Sequence, residues 1–491
     1  MTGRSLSAPQ PGLVIPGRLI GICVLGLSSA VGLAALVSIG PAALIIPIMA
    51  LVVVLAAVFP RTFVYLLLAV AIVIEPGAID FTKPIAYALW SLPEGVRGII
   101  TITVSPMELA LVAAAASLWI RGRRQATARA DMPRLVYFVP VVILLGFAYG
   151  ARRGGDLPLA YNEARGLLFA MVAFFIALRM AGEPRDRILK VLFVASTLLA
   201  LVTVNRWLFY TRSGDSPVPI EFAFAHENAV FFGIAVLISG MQFVKARSNG
   251  ARAALLLHMF LMLIATFVTG RRAGTLMLLV GGATVAWLLF PKRPVAVLAV
   301  SLPLLLMGGA YLATYWNHEY GTIAQPARAI RSQISPSPRD ASSDDYRVIE
   351  RYNVEQTLKF NPLFGVGFGN PFAQFRQLPN LKDFWPLQDY TPHQNILWLW
   401  LKMGILGIAV FLGLWLVALK RCFQVVRSTP RNAPLPTAAI TLAAILLMYF
   451  SYAQIDLALT GTRAIAPLAA ALALCFRLRS YSPPAAEAAR V

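Results

Sequence analysis

Charge is scarce in this sequence. Only 13% of its 491 residues are Asp, Glu, Lys or Arg, against about 25% in a soluble domain, and the mean hydropathy is +0.71. That shortage excludes an ordinary soluble globular protein. Cysteine is scarcer still: Cys23, Cys422 and Cys475 all fall in or beside apolar runs, so no disulfide framework is implied. The four histidines form no HExxH, no Cys/His metal spacing and no Ser/His/Asp order in the external segments, so neither metal nor cofactor is expected. Acidic residues number 22 against 43 basic ones, a net charge of +21. The basic residues are scattered through short connections rather than gathered into one domain, which removes nucleic acid from the expected partners. Nor is there an internal repeat of the kind that marks a two-halved transporter.

What the chain has in quantity is apolar length. About fourteen windows of roughly 17–25 residues, from 19–39 to 464–476, are able to cross a bilayer as helices that satisfy their own backbone hydrogen bonds. The predicted fold is an all-α polytopic integral membrane protein of about 12–14 transmembrane helices. Basic connections at 121–134, 179–187, 245–252, 291–294 and 420–427 mark the cytoplasmic side, with both termini inside. The run after Arg18 reaches Ile39 without a clear small-x-small site, so it reads as a retained span rather than a signal peptide. The segment 74–98, with Trp90, suits a membrane interface.

The chain divides into helices at 1–315, one large external (periplasmic) loop at 316–392, and C-terminal helices with a short cytoplasmic tail at 393–491. The loop is far longer than the usual connection, which makes it a functional candidate. Its middle, SSDDYRVIERYNVEQTLKF (342–360), predicts an amphipathic helix starting near Asp344 and Asp345, with Val348, Ile349, Tyr352 and Leu358 on its apolar face. The glycines of NPLFGVGFGNPF (361–372) superficially match a phosphate loop, but no strand precedes them, and a Gly-rich turn is the better reading.

On this topology several arginines stand at outer helix ends or in short outer loops, where the positive-inside bias disfavours them: Arg152, Arg153, Arg165, Arg206, Arg212, Arg271, Arg272 and Arg463. A guanidinium grips phosphate oxygens in pairs, so such arginines point to an anionic lipid head group or a pyrophosphate. The hairpin TGRRAGTL (269–276) is the sharpest case, because its adjacent Arg271 and Arg272 repel one another unless an anion bridges them. Snorkelling to ordinary lipid phosphates is the plainer reading for any of them.

In TPHQNILWLWLKMGILG (391–407), Thr391 reads as an N-cap and Pro392 as the first helical position, which places His393 in the first turn of a span. The positive end of the helix disfavours imidazolium, leaving a neutral ring that accepts a proton, and Asp389 is near enough in sequence to orient it. A base facing a pyrophosphate-binding arginine cluster suits displacement of a pyrophosphate leaving group. A merely structural histidine is the alternative. His226, at the mouth of another helix, is its rival; His258 lies within a span and His318 opens the loop.

These segments resemble the O-antigen ligase and Wzy-polymerase superfamily of bacterial envelope glycosyltransferases. His393, Gln394, nine residues, Gly404, two residues and Gly407 are similar to its signature, and FAHENAVFF (224–232), TGRRAGTL and FNPLFGVGFGNPF agree with it in order. The resemblance implies a GT-C-like, inverting, metal-independent transferase in the bacterial inner membrane, working on the periplasmic face without a cofactor. It would move a glycan from undecaprenyl pyrophosphate to a hydroxyl of lipid A core or of a lipid-linked glycan. It further implies His393 as catalytic base, with Arg271, Arg272 and Arg165 on the pyrophosphate and Asn228, Asp389 and Gln394 in support. The family's arginine before the asparagine span is replaced by PVPIEFAF (217–224), so Arg212 or Arg206 would stand in. Lys402 occupies a position that is commonly acidic in relatives. From another class, a flippase or other transporter predicts these charged groups around a mid-membrane cavity, and a purely structural assembly partner predicts that changing them leaves glycan output intact.

Overall fold

A computed structural model describes residues 45–90, 104–122, 132–181, 185–211, 224–318, 323–331, 334–335, 338–382, 385–431 and 433–478. The expected span at 19–39, Cys23 and Arg212 lie outside these residues. Among them the chain is helical: α1 (Ile45–Val58), α2 (Pro60–Val73), α3 (Lys83–Trp90), α4 (Pro106–Gly122), α5 (Leu135–Arg152), α6 (Leu157–Met180), α7 (Arg185–Arg206), α8 (Asn228–Lys245), α9 (Asn249–Val268), α10 (Arg272–Leu289), α11 (Pro294–Tyr315), α12 (Gln325–Arg331), α13 (Pro338–Phe360), α14 (Asn395–Ser428), α15 (Thr437–Ala453) and α16 (Thr462–Cys475). Among the described residues, seven segments are long and apolar enough to cross a membrane: α5, 187–211, α8, α9, α10, α11 and α14. Shorter apolar helices stand at Pro60–Val73, Pro106–Ile120, Thr437–Ala453 and Thr462–Cys475. The chain is a polytopic helical membrane protein.

The central bundle packs α16 along α6, α15 on α10, and α14 on α5. Small residues permit this closeness, as membrane helices require. Gly166 of α6 lies against the backbone of Leu459 and Thr460, and Gly281 of α10 lies against Met448. At the far end of the bundle the Cys422 and Cys475 sulfurs are 3.4 Å apart as buried free thiols.

Helix α14 is broken at Gly404, whose φ of 66° and ψ of −168° interrupt its hydrogen-bond ladder. The Gly-rich segment fills the break. Val366 N donates to Leu401 O at 2.7 Å, and Ile405 N donates to Leu363 O at 3.0 Å, so the groups freed by the break are satisfied by the loop. Phe368 N donates to Gly146 O of α5 and Gly369 N to the Glu163 carboxylate of α6. These amides are spent on protein acceptors, so the segment is a wedge between three helices rather than a phosphate cradle. Gly367 has φ +79°, and a Cβ there would meet Gly150 N and Cα at 2.5 Å. Gly367→Ala is expected to destabilise the protein by about 2–4 kcal/mol, from left-handed strain plus overpacking. Thermal unfolding of the purified protein in detergent reads this, and an unchanged midpoint would refute the wedge.

The loop helix α13 begins at Pro338, earlier than the predicted start, so Asp344 and Asp345 lie inside it rather than at its cap. Val348, expected on the apolar face, is 61% exposed; the buried face runs through Tyr346, Glu350, Asn353, Val354, Thr357 and Leu358. Half of that stripe is polar because it binds the loop. Asn353 accepts from the backbone of Phe375 and Arg376, and Thr357 accepts from Ala373 N.

Candidate functional site

Helix α13 lies across one end of the bundle and touches both sequence motifs that carry charge chemistry. Arg272, the first residue of α10, meets Asp344 with Nη2 at 2.8 Å and Nη1 at 3.2 Å. Six residues further along α13, Glu350 faces His393. Its carboxylate oxygens are each 3.2 Å from His393 Nδ1, and one accepts from His393 N at 2.9 Å. Asp344 and Glu350 are about 9 Å apart along a helix axis, so α13 holds the arginine hairpin and the histidine to one small region. Between them stands Arg347, half-buried, with no hydrogen bond or ion pair to its guanidinium seen among the described residues. Sequence reasoning missed it; its only signal was its position in the middle of the predicted loop helix.

The expectation that Asp389 orients His393 is corrected. Asp389 is taken by Lys382 Nζ at 2.8 Å and Gln374 Nε2 at 2.8 Å, while Glu350, 43 residues before the histidine, holds the ring. The predicted cap is also displaced: α14 begins at Asn395 with Gln394 at its cap, so Thr391 caps nothing and His393 precedes the first turn. The imidazole is instead fixed edge-on by Trp385, at 5.0 Å between ring centres, and Tyr346, at 5.8 Å. Its side chain is 19% exposed. With Nδ1–H given to Glu350, Nε2 is the nitrogen left to accept a proton. Burial, and after it the Glu350 charge, push the Tyr346 hydroxyl up from its ordinary value, so it stays neutral.

His226, at the start of α8, is built alike. Its Nδ1 lies 2.9 Å from Asp456 in the connection between α15 and α16, 230 residues away in sequence. Burial pushes the Asp456 carboxyl up, but His226, His393 and Arg347 together hold it well below the usual range, so at neutral pH it is a carboxylate. Two residues before it, Gln454 Oε1 accepts from Gln394 Nε2 at 3.2 Å.

The other nominated arginines divide. Arg271 donates Nη2 to Phe224 O at 2.8 Å, at the mouth of α8. Arg165 lies in the third turn of α6 rather than at its outer end, and grips Glu108 of α4 by both Nε and Nη2, the latter at 2.7 Å. Thr462 donates to the same carboxylate at 2.8 Å, which ties Arg165 to the start of α16. Arg206 and Arg463 stand at helix ends as expected, Arg206 last in α7 and Arg463 second in α16, but both are buried. Arg206 is buried in ion pairs with Glu75 and Asp80, so it cannot stand in for a phosphate-binding arginine. Arg463 is buried on Ala71 O, Ile72 O and Asn228 Oδ1. Asn228, itself fully buried, donates to Glu75 at 2.7 Å and so joins α8 to the end of α2. Lys402, at the position that is commonly acidic in relatives, is wholly buried against Glu163.

A helical membrane protein with arginines and two histidine–carboxylate pairs at one end of its bundle is the class these observations define. Residues 257–412 match the O-antigen ligase family, about a third of the chain. The match supports an O-antigen ligase/Wzy-type family. The matched segment holds the arginine hairpin, α13, the glycine wedge and His393, while His226 and Asp456 lie outside it. No curated protein matches the chain.

Proposed function

We propose that this protein is an envelope glycosyltransferase of the bacterial inner membrane. It moves a glycan from undecaprenyl pyrophosphate to a sugar hydroxyl of lipid A core or of a second lipid-linked glycan, on the periplasmic face and among membrane lipids. The observation that carries the reading is the loop helix α13, which bonds Arg272 through Asp344 and His393 through Glu350. His393 Nε2 takes the proton of the attacking hydroxyl as its oxygen bonds to the anomeric carbon. The bond from that carbon to the pyrophosphate oxygen breaks from the opposite side, with inversion, and the electron pair leaves with the phosphate. Arg272, Arg271 and Arg347 take that charge, Arg272 exchanging Asp344 for phosphate oxygens, so the step asks for no metal. Arg165 and Asn228 support the site through α16 and α8.

The test is transfer from a purified undecaprenyl-pyrophosphate glycan to lipid A core, or to a second lipid-linked repeat, in EDTA. Transfer by the wild type supports the reading, and its absence with both acceptors sinks it. Arg272→Ala and Arg347→Ala are each expected to raise the donor KM and lower kcat, together by about 10²-fold in kcat/KM, because phosphate is held in both ground and transition states. An unchanged donor KM in both variants would remove these arginines from the pyrophosphate.

A further inference from the structure

The second histidine–carboxylate pair has no part in that reaction, yet it is built into the same region. Gln454 and Asp456 stand two residues apart on one connection; the first meets Gln394, the neighbour of the base, and the second meets His226. Gln394, His226 and His393 therefore border one patch. His226 is 38% exposed while Asp456 behind it is 6% exposed, so the imidazole presents Nε2 outward from a fixed Nδ1 contact. Two buried polar atoms here have no hydrogen-bond partner: Gln394 Oε1 and the hydroxyl of Tyr452, a residue 1% exposed whose neighbours include Asp456 and Arg271.

The chemistry of these atoms selects a ligand class. A pyrophosphate diester such as the donor's is all acceptor at neutral pH and has nothing to offer the carbonyl of Gln394, and the Asp456 charge repels it. Sugar hydroxyls both donate and accept, so neighbouring hydroxyls of one sugar can donate to Gln394 Oε1 and to His226 Nε2 and accept from Tyr452. We propose that Gln394, Tyr452 and His226, the last held by Asp456, form the subsite for the acceptor sugar, and that His226 is a specificity-determining contact. The inference rests on the transferase reading and gives the acceptor a place beside His393, apart from the arginines.

Two substitutions separate this role from a structural one. His226→Asn keeps an amide where Nδ1 was, and with it the Asp456 contact, but removes the outward nitrogen. His226→Gln does the reverse. The acceptor KM, with core oligosaccharide released from lipopolysaccharide as acceptor, is expected to rise about tenfold in His226→Asn, the worth of one hydrogen bond. It should rise less in His226→Gln, with the donor KM unchanged in both. A wild-type-like Asn variant beside an impaired Gln variant would make His226 a packing residue and overturn the proposal, as would a rise in donor KM. If the wild type transfers nothing, the transferase reading fails separately, and binding of the same oligosaccharide, followed by saturation-transfer NMR, decides the subsite. Binding weakened by His226→Asn upholds it, while no binding, or equal binding, refutes it.

Discussion

Replacing His393 by Ala is expected to lower kcat for glycan transfer by about 10²–10⁴-fold, the usual worth of a positioned base, while membrane insertion and thermal stability stay near wild type. The ring is partly exposed, precedes the first turn of α14, and fills no core cavity. His393→Asn is the cleaner variant, because its amide replaces Nδ1 at Glu350 and removes only Nε2. Both should leave both KM values nearly unchanged, since the group acts on the proton in flight rather than on bound substrate. Glu350→Gln tests the second half of the pair. Its amide permits the wrong ring tautomer, so kcat should fall by a large part of the His393→Asn loss, and the pH profile of the remaining activity should change shape. Wild-type turnover in His393→Asn would return the residue to a structural role and move the search for a base to His226. Turnover lost only through misfolding would appear as loss of the monodisperse detergent-solubilised species.

Much of the architecture was legible because a bilayer imposes one simple rule, an apolar run of about twenty residues per crossing. The arginine hairpin and His393 were legible for a related reason: charge at the end of an apolar run is rare enough to stand out. The carboxylates that give these residues their roles were not. Glu350 and Asp456 sit on other elements, 43 and 230 residues from the histidines they hold, and nothing in local spacing pairs them. The stripe of α13 was misplaced because its buried face is half polar, and apolar periodicity selected the exposed Val348 instead. Arg206 and Arg463 misled in the opposite sense. Position at a helix end marked them as candidate phosphate binders, yet carboxylates and backbone carbonyls at the ends of other helices bury them, a tertiary arrangement that composition does not encode.

Lys402 is where the largest effect on stability is expected. Its Nζ lies 2.6 Å from Glu163 Oε1 and donates to Asn370 O at 2.6 Å, with both side chains fully buried. Glu163 in turn accepts from Gly369 N, so the pair clamps the end of the glycine wedge between α6 and α14, two residues before the break at Gly404. Lys402→Met leaves Glu163 as an uncompensated charge inside the bundle, which costs about 3–5 kcal/mol. A fall of several degrees in the unfolding temperature in detergent follows. Removing both charges, as Lys402→Met with Glu163→Leu, should recover most of that loss, because a buried ion pair contributes little net stability over apolar residues of similar volume. Recovery will be incomplete, since Gly369 N and Asn370 O each lose a partner. A single variant as stable as wild type would show that water reaches Glu163 and that the clamp is solvated. A double variant worse than the single would place the stabilisation in the hydrogen bonds to the wedge rather than in the charges, and the wedge would then be held by its backbone alone.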